Sequence, residues 1–356
     1  MTVSIQRPGP VSGLEWTVLR GDRKHVMRAL GAEHSDLVRA QRERSDGGWG
    51  ENVRRAHATA ARFEDIVAAT TARLPLEAQE LEWIAQGAEI DVAELWAQNL
   101  RGDLGRDGTG CSDVSFATSD GVVLGHNEDG DGEMRELIRL ITLDIVEDPA
   151  VTLVWYPGML PANSFVTTSA GLVFGMDHVP VAVADRAGCG RHFVARHAQR
   201  QRTGMDARNV LTRIPCAGGF AFDMADAPAG RVDLIESAAG RWAHTPGAPG
   251  VPHLHTNHLR AIDGTEPGLA VADDDAWLEE SRSRLTALRQ ASSHARTAGD
   301  VVAALRAEGV RGRTDDLYTF STVVVDTGSD EIVVQGPGDA WHGRWSAFTR
   351  GEKVGL

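Results

Sequence analysis

The chain reads Thr109-Gly110-Cys111-Ser112-Asp113 about a third of the way along, and Gly125-His126-Asn127-Glu128-Asp129 shortly afterwards. Between them lie two β-branched or apolar runs, residues 114–118 and 122–124, separated by the turn residues Ser119-Asp120-Gly121. This pattern predicts a β-hairpin that starts at a cysteine and ends in a polar cluster. Because a thiol can act as a covalent nucleophile, Cys111 is the first candidate catalytic residue.

The sequence pattern changes at Cys111. Residues 21–100 carry apolar side chains at helical spacing and predict a series of helices. After Cys111, period-two alternation predicts strands at residues 138–146, 151–155, 165–168, 172–175, 220–224, 232–237, 319–326 and 331–335. Helices are predicted there at residues 191–201, 275–291 and 297–307. Many antiparallel strands with helices segregated between them indicate an α+β layered fold.

Two local signals mark the end of the N-terminal helical segment. Asp91 occupies a helix N-cap position, and Glu94 occupies the capping-box position three residues later. Residues 102–110 then contain four glycines and few apolar side chains. Such a composition predicts a flexible, exposed stretch, which a self-cleavage site requires just before the scissile bond.

Composition excludes several classes of partner. The chain has 356 residues, with 50 acidic against 36 basic side chains and a formal net charge of -14. This balance argues against general affinity for nucleic acids or anionic membranes. The N-terminal residues contain no apolar signal region, and the apolar runs are too short to span a bilayer. We therefore expect a cytoplasmic protein with no nucleic acid or membrane partner.

The cysteines do not form a recognisable framework. There are three, Cys111, Cys189 and Cys216, and no CxxC pair, so a disulfide framework or a structural zinc site is not indicated. Cys189 and Cys216 lie in glycine-containing turns, and we interpret them as small buried apolar residues. Only Cys111 has a surrounding pattern that points to chemistry.

A cysteine at a chain terminus carries its own base. Its α-amino group has a pKa near 7.7–8.0, so a useful fraction is uncharged at neutral pH and can accept the thiol proton. To expose that group, the thiol of Cys111 must attack the carbonyl of Gly110 in an N-to-S acyl shift, and water must then hydrolyse the thioester. Glycine before the nucleophile suits this step, since it offers no steric obstacle and tolerates unusual backbone angles. No cofactor is required.

The motifs together resemble one known family, the penicillin acyltransferase family of N-terminal-nucleophile (Ntn) hydrolases. The firmest matches are Gly110-Cys111, the spacing Gly125-x-Asn127-x-Asp129, and His255-Thr256-Asn257-His258; softer matches are Ser169-Ala170-Gly171 and residues 319–326. The resemblance implies a four-layer αββα fold made by a helical segment, residues 1–110, and a segment of residues 111–356 that begins with the nucleophile. It also implies self-cleavage, after which the two fragments stay associated as one domain.

The resemblance assigns roles to several residues. Asp129 corresponds to the aspartate that orients the nucleophile region, and Asn257 to the asparagine whose amide stabilises the oxyanion. Ser237 resembles, less closely, a family serine near the cleavage site. These roles are physically sensible, because a neutral amide donor suits a developing oxyanion and a carboxylate suits a new α-ammonium group.

Two alternatives stay open for the polar clusters. His253, His255 and His258 form a histidine-rich stretch that raises zinc as a possibility, but their spacing matches no metal motif. The acidic run at residues 128–133 is compatible with a calcium-like loop, a solvated loop, or a site that attracts a substrate amine. We predict no metal site.

The chain departs from the family in one place that concerns the substrate. Where the family has a Ser-Arg pair before the strand at residues 319–326, this sequence has Asp315 and Asp316, followed by Leu317 and Tyr318. A basic site for a substrate carboxylate is thus replaced by an acidic one. The sequence Gly125-His126-Asn127-Glu128-Asp129 resembles the branch of the family that contains β-alanyl amine hydrolases. Glu128, Asp315, Asp316 and Tyr318 are therefore predicted to bind an amine-bearing substrate.

Three functions are compatible with this sequence. The first is an amidohydrolase that cleaves a small amide or thioester through an acyl-enzyme, with water releasing the acid. The second is an acyltransferase, in which an amine replaces water, and the sequence does not separate these two. The third is a non-catalytic binding or scaffold protein with the same fold, which the joint presence of Cys111, Asp129 and Asn257 disfavours.

Overall fold

The computed structural model describes residues 3–44, 48–105, 110–162, 164–248, 250–272, 274–314 and 316–356. The α-helices within these ranges are α1 (Arg23–Glu33), α2 (Ser35–Glu43), α3 (Gly48–Ala58), α4 (Ala60–Arg73), α5 (Pro75–Ala88), α6 (Val92–Asn99), α7 (Arg101–Leu104), α8 (Arg191–Gln199), α9 (Gly204–Arg213), α10 (Ala276–Ala291), α11 (Ala298–Leu305) and α12 (Trp345–Phe348). Short 3₁₀ helices lie at Gly132–Glu136 and Ala227–Ala229.

The strands form two sheets. They are β1 (Ser4–Gln6), β2 (Trp16–Gly21), β3 (Ser112–Ala117), β4 (Val122–Gly130), β5 (Arg139–Ile145), β6 (Val151–Trp155), β7 (Val166–Thr168), β8 (Leu172–His178), β9 (Gly219–Asp226), β10 (Arg231–Ala238), β11 (Arg241–Pro246), β12 (His253–His255), β13 (Tyr318–Asp326), β14 (Glu331–Gln335) and β15 (Trp341–Arg344). The nine-stranded sheet has the order β1-β2-β5-β6-β7-β8-β9-β10-β11, and the six-stranded sheet the order β12-β3-β4-β13-β14-β15. Neighbours run antiparallel except β2 and β5, which are parallel.

Alternation along single strands builds the layers. On β13, Val323 and Val325 enter the apolar layer between the two sheets, whereas Val324 faces the opposite way and packs with α11. On β2, Val18 faces the layer between the sheets, and Leu19 packs with the N-terminal helices. Helices therefore cover the outer face of each sheet, and the predicted four-layer αββα arrangement is confirmed.

Most predicted elements have the predicted position. Strands β6 and β14 have the predicted bounds, and helices α10 and α11 begin after the N-caps Asp275 and Thr297. Asp91 caps α6 by accepting a hydrogen bond from the backbone N–H of Ala93 at 2.8 Å. The carboxylate of Glu94 binds Arg42 and Trp49, which lie on neighbouring helices. The capping-box pattern predicted that Glu94 would bind the backbone at the start of α6, but its carboxylate binds side chains of neighbouring helices instead.

The N-terminal segment is more than a set of helices. Its first residues form β1 and β2, and β2 joins the nine-stranded sheet beside β5. Strand β2 can join the sheet because it carries apolar side chains on both faces. Trp16 is buried in the layer between the two sheets, and Leu19 is buried against the N-terminal helices. Residues on the two sides of the Gly110–Cys111 bond therefore share one hydrophobic core, which favours continued association of two fragments.

The stretch at residues 102–110 differs in part from the prediction of an exposed loop. Gly102, Asp103 and Leu104 are buried in α7. Asp103 accepts a hydrogen bond from the backbone N–H of Gly218 at 2.7 Å, and a Cβ on Gly102 would meet the guanidinium of Arg191 at 2.0 Å. The glycine there permits close packing, which composition alone does not distinguish from flexibility. Residues 106–109 lie outside the described part of the chain.

Cys189 and Cys216 are buried and free, as their interpretation as small apolar residues requires. Burial raises the pKa of both thiols, that of Cys216 to about 12.

Among the described residues, no helix is both long and apolar enough to cross a membrane. The cytoplasmic location stays a prediction.

Candidate active site

The backbone at the Gly110–Cys111 junction has a shape that requires glycine. Gly110 has a φ of 87°, in the left-handed region, and a Cβ at this position would lie 2.5 Å from Cδ1 of Leu317. Any other residue would be strained there and would clash. Cys111 follows directly and precedes β3, an inner strand of the six-stranded sheet. Its thiol is free and the residue is only 7% exposed.

Strand alternation places a histidine and a glutamate beside this thiol. Val122, Leu124, His126 and Glu128 follow one another at every second position of β4 and share one face. The Sγ of Cys111 donates to Oε2 of Glu128 at 3.7 Å, and the same oxygen lies 3.0 Å from Nε2 of His126. The other ring nitrogen, Nδ1, lies 2.7 Å from Oδ1 of Asp113, which stands opposite His126 on β3.

This buried group has strongly shifted acid–base properties. Burial, together with the charge of Glu128, raises the pKa of the Cys111 thiol. Burial opposes the charged form of His126, but Asp113 outweighs it and raises the pKa of His126 well above its usual range. Burial raises the pKa of Asp113 to about 8, with the charge of Asp177 adding to the effect. These shifts favour a cationic imidazole between the two carboxyl groups and the protonated form of the neighbouring thiol.

Asp129 lies on the other side of the junction. Its Oδ1 accepts a hydrogen bond from the hydroxyl of Thr319, while its Oδ2 is buried and has no hydrogen-bond partner among the described residues. That oxygen lies 3.5 Å from the Cβ position of Gly110. Burial raises the pKa of Asp129 to about 7.

Asn257 reaches the same place from a distant part of the sequence. Its Nδ2 donates to the carbonyl of His178 at 2.9 Å, and its Oδ1 accepts from Nη2 of Arg284 at 2.8 Å. Arg284, on α10, also donates to the carbonyl of Cys111 and, at 3.1 Å, to Oγ of Ser112. This arginine therefore connects the predicted oxyanion residue to the backbone of the nucleophile.

These groups meet at one cavity of about 570 Å³. Cys111, Glu128, Asp129 and Asn257 all contribute to its wall. The apolar part of the wall includes Trp49, Met134, Tyr156, Met176 and Phe220, and the N-terminal helices add Glu51, Arg44, Arg54, Arg55 and Arg101. A cavity of this size and mixed lining suits a small molecule.

A comparison with models of protein families shows to which family the chain belongs. The family model described as "Acyl-coenzyme A:6-aminopenicillanic acid acyl-transferase" matches residues 116–315, which is more than half of the chain. The chain belongs to this acyl-transferase family. The family membership inferred from the motifs is thereby confirmed. The match begins after Cys111, so the assignment of the nucleophile rests on the site itself.

Solved structures of related folds are distant in sequence. A mutant conjugated bile acid hydrolase from Clostridium perfringens is 10% identical, with a TM-score of 0.43 over 68% of this chain and 95% of that one. Penicillin V acylase from Agrobacterium tumefaciens is 13% identical, with a TM-score of 0.42 over 69% of this chain and 89% of that one. No curated protein matches the chain.

The remaining residues that the family resemblance suggested lie elsewhere. Ser237 is buried on β10, where its hydroxyl contacts the thiol of Cys216. Asp316 is exposed, and neither it nor Ser237 is among the described residues that line the cavity. Tyr318 is half-buried on β13, with its ring 5.8 Å from that of Phe320. Asp315 lies outside the described residues, and the binding roles of all these side chains stay predictions.

The described residues offer two groups with the geometry of metal ligands. Cys111, His126 and Glu128 form one, and Asp113, His126 and Asp177 form the other. Both nitrogens of His126 already face carboxylates, so an ion at either place would have to displace a hydrogen bond. The histidine-rich stretch of the sequence does not converge, because His255 binds Asp177 and Glu236 while His258 binds Ser281.

Sequence reasoning missed several members of this acyl-transferase site. Asp113 and His126 lie inside the two stretches quoted first, but no role was assigned to them, and Tyr156 lies in neither stretch. His126 and Glu128 continue the alternation of β4. The period-two pattern could have placed them on the same face as Val122 and Leu124. No signal in the sequence marks Arg284, an arginine on a helix with ordinary apolar spacing.

Proposed function

We propose that this protein is a self-processed amidohydrolase whose nucleophile is the thiol of Cys111. One observation carries the proposal. Cys111 and Asp129 come from the two ends of one hairpin and Asn257 from a distant part of the sequence, yet all three line one cavity beside a Gly–Cys peptide bond whose glycine is left-handed. A structural role for three separate polar residues would not require that they share a small-molecule cavity.

The first step of the proposed function is cleavage of the chain. The thiol of Cys111 attacks the carbonyl of Gly110, the peptide nitrogen departs as the new α-amino group, and water hydrolyses the resulting thioester. The position of Arg284, which donates to the carbonyl of Cys111 and to Ser112, fixes the backbone on the far side of the reacting bond. A fixed geometry of this kind makes an intramolecular attack efficient.

After cleavage, the α-amino group of Cys111 would serve as the base for its own thiol. Asp129 is placed to hold that group, because its unpartnered Oδ2 lies beside Gly110. A new α-ammonium group would give this buried oxygen the hydrogen-bond partner that it lacks. Asp129 would thus orient the amine and balance its charge.

Asn257 would stabilise the tetrahedral intermediate. An amide nitrogen carries two hydrogens, and one of those on Asn257 is donated to the carbonyl of His178. The second is then available for an oxyanion in the cavity. Because Arg284 holds the amide oxygen, the orientation of the donor is set before the substrate binds, as efficient electrostatic stabilisation requires.

The substrate would be a small amide or thioester that the cavity can enclose. Acidic side chains of the cavity wall, among them Glu51 and Asp131, would favour a substrate with an amine group, such as an N-β-alanyl amine. Arginines of the same wall, among them Arg44 and Arg54, would favour a substrate with an anionic group instead. A panel of amides that differ only in the charge of the acyl or amine part would separate these two choices.

The proposed function is tested by the intact mass of the purified protein beside the Cys111→Ala variant. We expect two fragments in the wild type only, of about 12 and about 26 kDa by residue count, with the larger one beginning at Cys111. A wild type that stays at 38.2 kDa and does not react with thiol reagents would favour a non-catalytic protein and would overturn the proposal.

Acyl transfer is the second candidate, and the name of the family favours it. Both reactions pass through the same acyl-enzyme and differ in whether water or an amine attacks it. Adding a competing amine to the mature enzyme and a small amide substrate separates them. Formation of the new amide in proportion to the amine concentration would indicate a transferase, and release of the free acid alone would indicate a hydrolase.

A further inference from the structure

The uncleaved chain needs a base that the mature enzyme does not. Before cleavage, the nitrogen of Cys111 belongs to a peptide bond and cannot accept a proton, so the α-amino group cannot activate the thiol for the first step. Another group must take the proton while the thiol attacks Gly110. The thiol donates to Oε2 of Glu128 at 3.7 Å.

We propose that Glu128 is the general base of self-cleavage, and that His126 and Asp113 are positioning residues that hold it against the thiol. The inference rests on the proposed function, since it concerns how the same nucleophile is first activated. It gives Glu128 a role in the uncleaved chain, which is separate from the substrate-binding role that the sequence suggested.

The proposed step balances as follows. Glu128 takes the proton from Sγ as the bond between Sγ and the carbonyl carbon of Gly110 forms. When the carbon–nitrogen bond breaks, the protonated Glu128 returns this proton to the departing nitrogen, which becomes the α-amine. Water then hydrolyses the thioester, giving the carboxylate of Gly110 and the free thiol of Cys111. No metal, cofactor or oxidant takes part in this sequence.

The hydrogen bonds around Glu128 fix both of its oxygens. Oε1 accepts from the hydroxyl of Tyr156, and Oε2 lies 3.0 Å from Nε2 of His126. His126 is held in turn by Asp113 at 2.7 Å. Asp113 is itself confined by the other sheet, because a Cβ on Gly175 would lie 1.9 Å from its Oδ1. Both ring nitrogens of the histidine therefore face carboxyl groups, which orients the ring.

The charge of His126 also favours the reaction. The raised pKa of His126 keeps the imidazole cationic, and a buried cation beside Sγ and Glu128 stabilises the thiolate that develops during proton transfer. Burial alone would work against the thiolate, as the raised pKa of Cys111 shows. Among the described residues, the titratable and charged groups that face this cluster are Asp113, Asp129, Tyr156, Asp177, Asp223, Arg101 and Arg284.

The chain contains a matched control for this arrangement. His255 is fully buried like His126, and it also lies between two carboxylates, Asp177 at 2.6 Å and Glu236 at 3.3 Å. Glu236, however, accepts hydrogen bonds from the backbone N–H groups of residues 260–262 instead of a thiol. His255 has no hydrogen bond to Cys111 or Glu128, so a change there removes a similar buried cation without touching the reacting atoms. Its partner Asp177 also faces the Cys111 cluster, and His255→Asn leaves that side chain in place.

The test follows self-cleavage of the full chain by intact mass over time in Glu128→Gln, Glu128→Asp, His126→Asn and His255→Asn. We expect Glu128→Gln to slow cleavage about 100-fold or more, since a general base contributes roughly 10²–10⁴-fold. Glu128→Asp keeps the carboxylate and should recover part of the rate. His126→Asn should slow cleavage at least about tenfold, and His255→Asn should leave the rate within about twofold of the wild type.

A pH profile supplies a readout that a merely structural role would not change. In Glu128→Gln, hydroxide has to replace the base, so the residual cleavage rate should rise about tenfold per pH unit. The wild type should show a shallower slope over the same range. Melting temperatures of the four variants establish that they are folded, and Glu128→Asp with the two histidine variants decides the question if Glu128→Gln does not fold.

The outcomes separate the two proposals. If the wild type does not cleave, the proposed function fails and the inference fails with it. If the wild type cleaves, Cys111→Ala does not, and Glu128→Gln cleaves at the wild-type rate, only the role of Glu128 is overturned. Equal slowing of cleavage in His126→Asn and His255→Asn would also overturn the proposed role of Glu128. The loss of rate would then follow from removing any buried charge between the sheets, wherever it lies.

Discussion

The two halves of strand β4 (Val122–Gly130) face the same layer between the sheets but serve different purposes. Val122 and Leu124 pack into an apolar cluster with residues of the facing sheet, such as Val154. Two residues further on, His126 and Glu128 occupy equivalent positions of the pleat and form the buried polar group beside Cys111. The backbone is continuous, and only the side chains change.

The difference shows how a stable layer is adapted to hold reactive groups. Apolar burial stabilises the first half by about 25 cal/mol per Å² of surface removed from water. The second half buries polar groups and therefore lacks this apolar stabilisation. The free-energy cost of removing its charged groups from water has to be offset by the attraction between those groups. Pairing leaves the polar half well ordered, with pKa values that differ from those of free side chains. We therefore expect substitutions in the apolar half to affect stability, and those in the polar half to affect cleavage.

The largest expected effect on stability is in the apolar half. Leu124→Ala removes a fully buried side chain between the sheets, and we expect it to lower the free energy of unfolding by about 3 kcal/mol. Denaturant unfolding measures this change, with the exposed Val146→Ala as the matched control at under about 0.5 kcal/mol. Self-cleavage well below the melting temperature should keep its wild-type rate; a large loss of rate would mean that the two halves are coupled.

The polar half should give the opposite result at Asp129. Asp129→Asn keeps the volume of the side chain but removes the negative charge beside Gly110, and we expect turnover of an amide substrate by the mature enzyme to fall about 100-fold. The melting temperature should change little, because burial already favours the uncharged form of this residue. Asp36→Asn, which changes an exposed residue of α2 that does not line the cavity, is the control. Loss of stability without loss of turnover would contradict the role of Asp129.

The pH dependence of stability tests the pairing of buried charges next to the polar half, where His255 lies on β12 and Asp113 on β3. Burial opposes the charge of His255, but its bonds to Asp177 and Glu236 raise its pKa to about 9, above the usual 6.5. The stabilisation that this cation provides is complete below about pH 6.5 and is lost as the pH rises through 9. Burial raises the pKa of Asp113 from 3.8 to about 8, so stability also falls as the pH rises from about 4 towards 8, where the unfolded chain has already lost this proton.

We therefore expect the melting temperature to fall by several degrees between pH 6.5 and pH 9. Calorimetry at a series of pH values measures it, and His255→Asn should flatten the part of the decrease nearest pH 9. A melting temperature that stays level over this interval would show that His255 provides no stabilising charge in the folded chain.

The smallest expected effect is outside both halves. Asp316 is exposed and does not line the cavity, so Asp316→Asn should leave the KM for an amine-bearing amide within about twofold of the wild type. A much larger KM would restore the acidic binding site that the sequence suggested and would place the amine of the substrate near residue 316. The same measurement on Glu51→Gln, which changes a residue of the cavity wall, provides the comparison.

The sequence alone determined the nucleophile candidate, the family and the layered fold. These conclusions depend on local patterns: period-two alternation marks the strands, and Gly110-Cys111 with the spacing Asn127-x-Asp129 marks the motif. Where a prediction depended on composition, it was less reliable. The glycines at residues 102–110 suggested an exposed loop, but Gly102 is buried in a helix because its missing side chain makes room for Arg191.

Only the tertiary structure decided which polar residues surround the thiol. Asp113 and His126 lie on neighbouring strands, Tyr156 directly follows β6 of the other sheet, and Arg284 lies on a distant helix. They come together because the two sheets and α10 meet at Cys111. Burial and charge then set their acid–base properties, and both depend on the whole packed layer. A linear sequence specifies which side faces the core, but the distance between two side chains is fixed only when the layers pack.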